Sequence, residues 1–205
     1  GVKDYNFPSL EAQVADCADG IAYNAHDLDD GITSELLNLQ QVRKLALWRE
    51  HEKALDQKYK NLDFKLKKYQ IVRQIINNLI TDFRQTTLKN LKANKIQSVD
   101  DVRCAKKRMA GFSALMSEKN GELKKFLHQN LYNHRKVKRM EFKSEMCLTG
   151  LFKAFTANSA LLPESVQREG GHDSLQRRIC DYISGMTDRY AISEYKKLYS
   201  PGEKD

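Results

Sequence analysis

The sequence predicts an all-α protein, built as several helices around one long central helix, and three observations carry that expectation. Three prolines and ten glycines in 205 residues leave long uninterrupted stretches. Apolar residues recur through them at helical spacing. No stretch of convincing length alternates apolar and polar residues as a half-buried strand does. The 30% charged residues and a mean hydropathy of −0.66 belong to a soluble protein. No run of eighteen apolar residues occurs, so no membrane-spanning helix is expected, and nothing at the start reads as a secretion signal. A first residue of Gly rather than Met is what a fragment would have.

The elements follow in order. Pro8-Ser9 starts the first helix: Ser9 can cap, and Glu11 lies in the first turn, where the helix dipole favours an acid. This helix is expected to run to about Asp30 and stop at Gly31. A second is expected over residues 33–47. The charge-rich segment 53–67 reads as a mobile connection or a helix start. From Phe64 to about Leu91, apolar residues including Ile71, Val72, Ile75, Leu79 and Phe83 recur with helical period, predicting a long, deeply packed helix. Trp48 and the stripe from Ile71 to Phe83 read as core or subunit interface. Ser98 with Asp100 and Asp101 marks another N-terminus. Later helices are expected over 117–132, 137–157, 173–185 and 188–199, the last capped by Thr187. Segment 164–173, with its diglycine, reads as a loop.

Cys17, Cys104, Cys147 and Cys180 are scattered, with no CxxC spacing and no His at metal spacing, so they read as reduced thiols of a cytoplasmic protein. A net charge of +8 and a pI near 9.2 favour an anionic partner such as a nucleotide or nucleic acid. The densest basic cluster holds Arg135, Lys136, Lys138 and Arg139 beside Tyr132 and His134. Arg135, Lys138 and Arg139 are candidates to contact a triphosphate or single-stranded DNA, since arginine grips phosphate bidentately and aromatics stack bases. The plainer alternative is a solvated helix junction. Lys106-Lys107-Arg108 and Lys65, Lys67 and Lys68 read as solvated faces. No GxxxxGK[ST] loop exists to support kinase or ATPase chemistry.

On a helical wheel the first helix gathers Leu10, Val14, Cys17, Ala18, Ile21, Ala25 and Leu28 on one side. Asp16, Asp19, Tyr23, His26, Asp27 and Asp30 gather on the other, with Asp19, Tyr23 and Asp27 at i, i+4 and i+8. An acidic face of a helix is commonly just solvated. This one lacks the i+4 lysines that normally offset repulsion, and a tyrosine between two aspartates suggests a face that meets a ligand.

The runs Ser9-Leu10-Glu11-Ala12-Gln13-Val14-Ala15-Asp16, Ile21-Ala22-Tyr23-Asn24 and His26-Asp27-Leu28-Asp29-Asp30-Gly31 resemble the dGTPase-like branch of the HD superfamily. Ser98-Val99-Asp100-Asp101-Val102-Arg103, Leu131-Tyr132-Asn133-His134 and Asp181-Tyr182-Ile183-Ser184-Gly185-Met186-Thr187-Asp188-Arg189-Tyr190 extend the likeness through nearly the whole chain. The resemblance implies a C-terminal portion, with residues 1–50 ending the catalytic core and 51–205 forming a C-terminal helical domain. It also implies a parent that hydrolyses a dNTP, dGTP being plausible, to deoxynucleoside and triphosphate, through a metal-bound water that attacks the α-phosphorus. In the family's His…His-Asp…Asp metal site, Asp19 matches the terminal Asp. Tyr23 would stack against or orient the deoxyribose, and Asp27 would hydrogen-bond the 3′-hydroxyl. A carboxylate suits Mg²⁺ or Mn²⁺, and histidines elsewhere in the site admit a transition metal. Asp16 and His26 are expected to be structural or supporting.

The other metal ligands lie upstream in the family pattern. His26-Asp27 and His172-Asp173 stand in the wrong places to replace them. The fragment is therefore expected to bind metal weakly and hydrolyse nothing, and surface that would cover the missing half invites a homo-oligomer. The competing reading is a non-catalytic helical module that binds single-stranded nucleic acid or serves assembly.

Overall fold

The computed structural model describes residues 5–168 and 174–203, which are helical with no strand among them. Helix α1 (Leu10–Thr33) begins where predicted, with the Ser9 hydroxyl accepting from the Ala12 amide at 3.4 Å. It does not stop at Gly31. A Cβ on Gly31 would lie 2.5 Å from Leu37 Cδ1, so this glycine is there to let a side chain close on the helix. The chain turns just beyond it, through Ser34, whose amide bonds Asp30 at 2.8 Å, and Glu35 at φ 58°.

The helix expected over 33–47 is replaced by two. The Asn38 side chain accepts from the Gln40 amide at 2.9 Å and starts the short α2 (Leu39–Val42). Then α3 (Ala46–Lys58) begins with its first amide donating to Glu122 at 3.0 Å. The charged segment 53–67 is neither a loose connection nor fully solvated: through Lys58 it is the end of α3, and Lys67 at its other end is half-buried. Glu52 accepts from Trp48 Nε1 at 3.2 Å and Arg43 at 3.1 Å and pairs with Lys67, which also reaches Asp56. Lys68 pairs with Asp29 at 2.6 Å. Of the three lysines expected on a solvated face, only Lys65 is exposed.

Asp63 caps α4 (Phe64–Ala93), the long central helix. It buries Ile71, Val72, Ile75, Leu79 and Phe83, whereas Leu66, Tyr69, Ile80 and Leu88 are exposed. The apolar stripe is thus wider than the buried face. Helix α5 (Val99–Arg103) starts with the capping box of Ser98 and Asp101. Helix α6 (Ala114–Leu127) ends in a π-helical turn over His128–Tyr132 rather than continuing as α-helix. Helices α1 and α3 pack on α4, and α6 joins them around Leu28, Trp48, Ile75, Leu79 and Leu123. These elements form one compact unit, Gly1–His134.

The second unit is Arg135–Asp205. Helix α7 (Arg135–Ala157) packs against α9 (Leu175–Ser184) and α10 (Asp188–Tyr199), burying Leu151, Phe155 and Ile179. Thr187 caps α10 as predicted. The expected loop 164–173 contains a helical turn, α8 (Glu164–Arg168); Gly170-Gly171 and His172-Asp173 lie outside the described residues. Between Ile21 and Trp48 the first three helices share a core with α4 and α6.

Candidate functional site

The site is built on α1, whose buried side is not the one hydrophobicity alone selects. Buried along it are Gln13, Ile21, Asn24, Ala25, Leu28, Gly31 and Ile32. Val14 and Ala18, expected inside, are exposed. Two polar residues take their share of the core because each has partners. The Gln13 carboxamide oxygen accepts from the amides of Met109 and Ala110 at 3.0 and 3.2 Å, and its nitrogen donates to the Pro8 carbonyl at 2.9 Å. Asn24 donates to Asn120 Oδ1 at 3.3 Å.

The opposite side carries the predicted row. Asp19 is exposed, and among the described residues it makes no hydrogen bond or ion pair. Tyr23 is 60% exposed. Asp16 pairs with Arg108 Nη2 at 2.7 Å. Asp27 is half-buried and accepts a hydrogen bond from the Tyr132 hydroxyl, 105 residues along the chain. His26 and Asp30 are exposed. The wheel placed the row correctly and left out both of its partners.

Tyr132 reaches Asp27 from the end of the π turn. Widening a helical turn by one residue changes the direction of the side chain that follows, and such turns concentrate at functional sites. The Tyr132 ring stands edge-on to His128, with centroids 6.3 Å apart. Burial, the Asp27 hydrogen bond and the charge of Asp27 raise the Tyr132 pKa well above the usual tyrosine value, so the phenol remains a proton donor. The sequence offers Tyr132 as an aromatic beside the basic cluster and within the Leu131-Tyr132-Asn133-His134 run of the resemblance, without a role, and Arg108 as part of a solvated face. The partner of Tyr132 lies too far along the chain to be read.

Arg135, Lys138 and Arg139 occupy the exposed first turns of α7, in the second unit, where Lys138 donates to Glu141 at 2.8 Å. Among the described residues no three His, Cys, Asp or Glu side chains converge to hold an ion. Asp19 is an exposed carboxylate of the kind that can supply an oxygen to a divalent cation. The row can do two things by itself: accept hydrogen bonds at Asp27, and offer an aromatic face at Tyr23.

Residues 110–197 match the Phosphohydrolase-associated domain. The chain is 42% identical over 197 residues to a deoxyguanosinetriphosphate triphosphohydrolase-like protein of Geobacter sulfurreducens, covering 96% of this chain and 51% of that protein. It is 42% identical over 199 residues to a protein of the same name in Bordetella pertussis, covering 97% and 51%. A third of that name, from Thiobacillus denitrificans, is 42% identical over 202 residues, covering 98% and 53%. The chain spans about half the length of the curated relatives it matches.

Proposed function

The chain belongs to the dGTPase-like proteins of the HD-superfamily phosphohydrolases, and from that premise we propose that it supplies the sugar-binding part of a dNTP triphosphohydrolase site. The reaction is dNTP plus water to deoxynucleoside plus triphosphate, with dGTP the first substrate to test because of the relatives' names. The observation that carries the reading is the Tyr132 hydroxyl bonded to Asp27 next to an exposed Tyr23. The Asp27 carboxylate holds the single Tyr132 hydroxyl proton and keeps lone pairs free to accept a sugar hydroxyl's proton beside it, while the Tyr132 oxygen can itself accept a hydrogen bond. The Tyr23 ring gives the apolar face of a deoxyribose a surface to pack on. Asp19 is one oxygen donor to a divalent cation, Mg²⁺ or Mn²⁺, and the other donors come from outside this chain. When bound, that ion supplies Lewis-acid polarisation of the phosphoryl group.

Acting alone, the 205-residue chain binds metal weakly and turns over no dNTP. Triphosphate release from dGTP by the purified chain would refute that part. The sugar site is tested by NMR: 2′-deoxyguanosine shifts the ring signals of Tyr23 and Tyr132 in the wild type and fails to do so in Asp27→Asn. Unmoved tyrosine signals in the wild type would sink the sugar-site reading.

No helix among the described residues is long and apolar enough to cross a membrane. The four cysteines are free thiols, which supports placement in the cytoplasm. Self-association and contact with single-stranded DNA belong to the same proposal. Their support is the start of α7, where Met140 and Phe142 are 63% and 61% exposed beside Arg135, Lys138 and Arg139.

A further inference from the structure

Segment 104–113 carries three consecutive cations, Lys106, Lys107 and Arg108, and the fold fastens it to α1. The fastener is Gln13, 0% exposed, whose carboxamide holds the amides of Met109 and Ala110, both buried. Arg108 is the residue just before that anchored pair, so its position along α1 is fixed by a buried contact and not by its own charge. Its Nη2 lies 2.7 Å from Asp16 Oδ2, in a pair whose side chains are 43% and 65% exposed. An ion pair so open to water contributes little to stability. Its consequence is local: a guanidinium stands at the head of the acidic row.

Asp16, Tyr23 and Asp27 are seven and four residues apart in turn, which returns all three to within about 40° on the helix. The sugar end of the row is Asp27 with Tyr132. From Asp27 to Asp19 the rise is about 12 Å, and from Asp19 to Asp16 about 4.5 Å more. A nucleotide with its sugar at Asp27 and its first phosphate near Asp19 therefore sends its distal phosphates toward Asp16. A bare carboxylate there would repel them, and Arg108 is the group that removes the repulsion.

We propose that Arg108 binds the distal phosphates of the dNTP, and of the triphosphate product, with Asp16 as the resting partner that keeps the guanidinium in place when the site is empty. The proposal rests on the nucleotide reading above. A polyphosphate carries several negative charges and offers paired oxygens to the two-pronged guanidinium, so it displaces a single exposed carboxylate. Lys106 and Lys107 add to the local positive potential without fixed contacts to phosphate.

The test is calorimetric titration of the chain with inorganic tripolyphosphate at low ionic strength and without metal, alongside a separate titration with 2′-deoxyguanosine. Arg108→Gln is expected to weaken tripolyphosphate about tenfold, the loss of one charge-assisted pair, and to leave deoxyguanosine unchanged. Asp16→Asn releases the guanidinium and tightens tripolyphosphate severalfold. Lys107→Gln, the control for net charge, weakens it by only about twofold. Circular dichroism melts confirm that each variant is folded. Equal tripolyphosphate affinity in the wild type and Arg108→Gln overturns the proposal, as does the absence of tripolyphosphate binding by the wild type at millimolar concentration. Arg108-dependent tripolyphosphate binding with no deoxyguanosine binding would sink the nucleotide reading and leave an anion site. Deoxyguanosine binding with no Arg108 dependence would sink this inference alone.

Discussion

Along α1 the side turned into the first unit has its polar groups partnered, whereas the opposite side keeps charges with few partners or none. Gln13 makes three hydrogen bonds at 0% exposure, and Ile21, Leu28 and Ile32 fill the core around it. Six residues on, Asp19 makes none, and Asp16 is held only by an exposed arginine. The same 24 residues satisfy two demands. Packing decides the first side, and substitutions there act on stability. On the second side Asp27 and Asp16 meet only Tyr132 and Arg108, and under the proposed function substitutions at Asp19 act on ligands rather than on stability.

The strongest way to break this contrast is Gln13→Leu. The replacement keeps the volume and removes the carboxamide, which leaves the amides of Met109 and Ala110 and the Pro8 carbonyl without their partner. At about 1–3 kcal/mol for each buried orphan, and with partial relaxation, a loss of about 4 kcal/mol is expected in urea unfolding. It also frees the segment that carries Arg108, so tripolyphosphate affinity falls with stability. A loss below about 1 kcal/mol would mean that the buried amide does not fix this side of the helix.

A pair of glycine substitutions sharpens the comparison. Gly20 and Gly31 are eleven residues apart and fall within about 20° of each other on the wheel, yet their surroundings are opposite. A Cβ at Gly20 meets nothing within 4 Å, and one at Gly31 collides with Leu37 at 2.5 Å. Gly20→Ala is therefore expected to stabilise by about 0.5–1 kcal/mol through helix propensity. Gly31→Ala gains the same propensity and loses about 1–3 kcal/mol to overpacking, for a net loss of about 1 kcal/mol. Melting temperatures that move in opposite directions confirm the asymmetry, and the same sign in both variants would refute it.

These two glycines also mark how far the sequence could be read. The Ser9, Ser98 and Thr187 caps, the span of α4 and the bounds of α10 follow from local signals, because capping and period are decided within one turn. The acidic row followed from the same period. Gly31 reads as a stop because a glycine after the last periodic residue ends many helices, and only the approach of Leu37 shows its other use. Gln13 and Asn24 could not be placed in the core by hydropathy, since their burial depends on partners at Met109, Ala110 and Asn120. The Tyr132 and Arg108 contacts have the same origin: separations of 105 and 92 residues leave no periodic trace. The π turn that presents Tyr132 has no sequence signature within His128–Tyr132 that separates it from one more turn of α6.

The smallest effect tests the outward side directly. Asp19→Asn removes a charge that has no partner and lies three residues from Asp16 and four from Tyr23. Like charges at helical neighbour spacing cost about 0.2–0.5 kcal/mol, so the variant should be as stable as the wild type or about 0.3 kcal/mol more stable. Replicate urea transitions with a common slope can resolve that difference. Asp16→Asn makes the matched comparison, because it removes one end of an exposed ion pair and should shift stability by no more than about 0.5 kcal/mol in either direction. If both variants stay within those bounds while Gln13→Leu does not, the acidity of the row is not explained by the stability of this unit, and what remains to explain it is charge held ready for a ligand. A loss above about 1 kcal/mol in Asp19→Asn would give Asp19 a structural role and remove the ground for calling it a metal ligand.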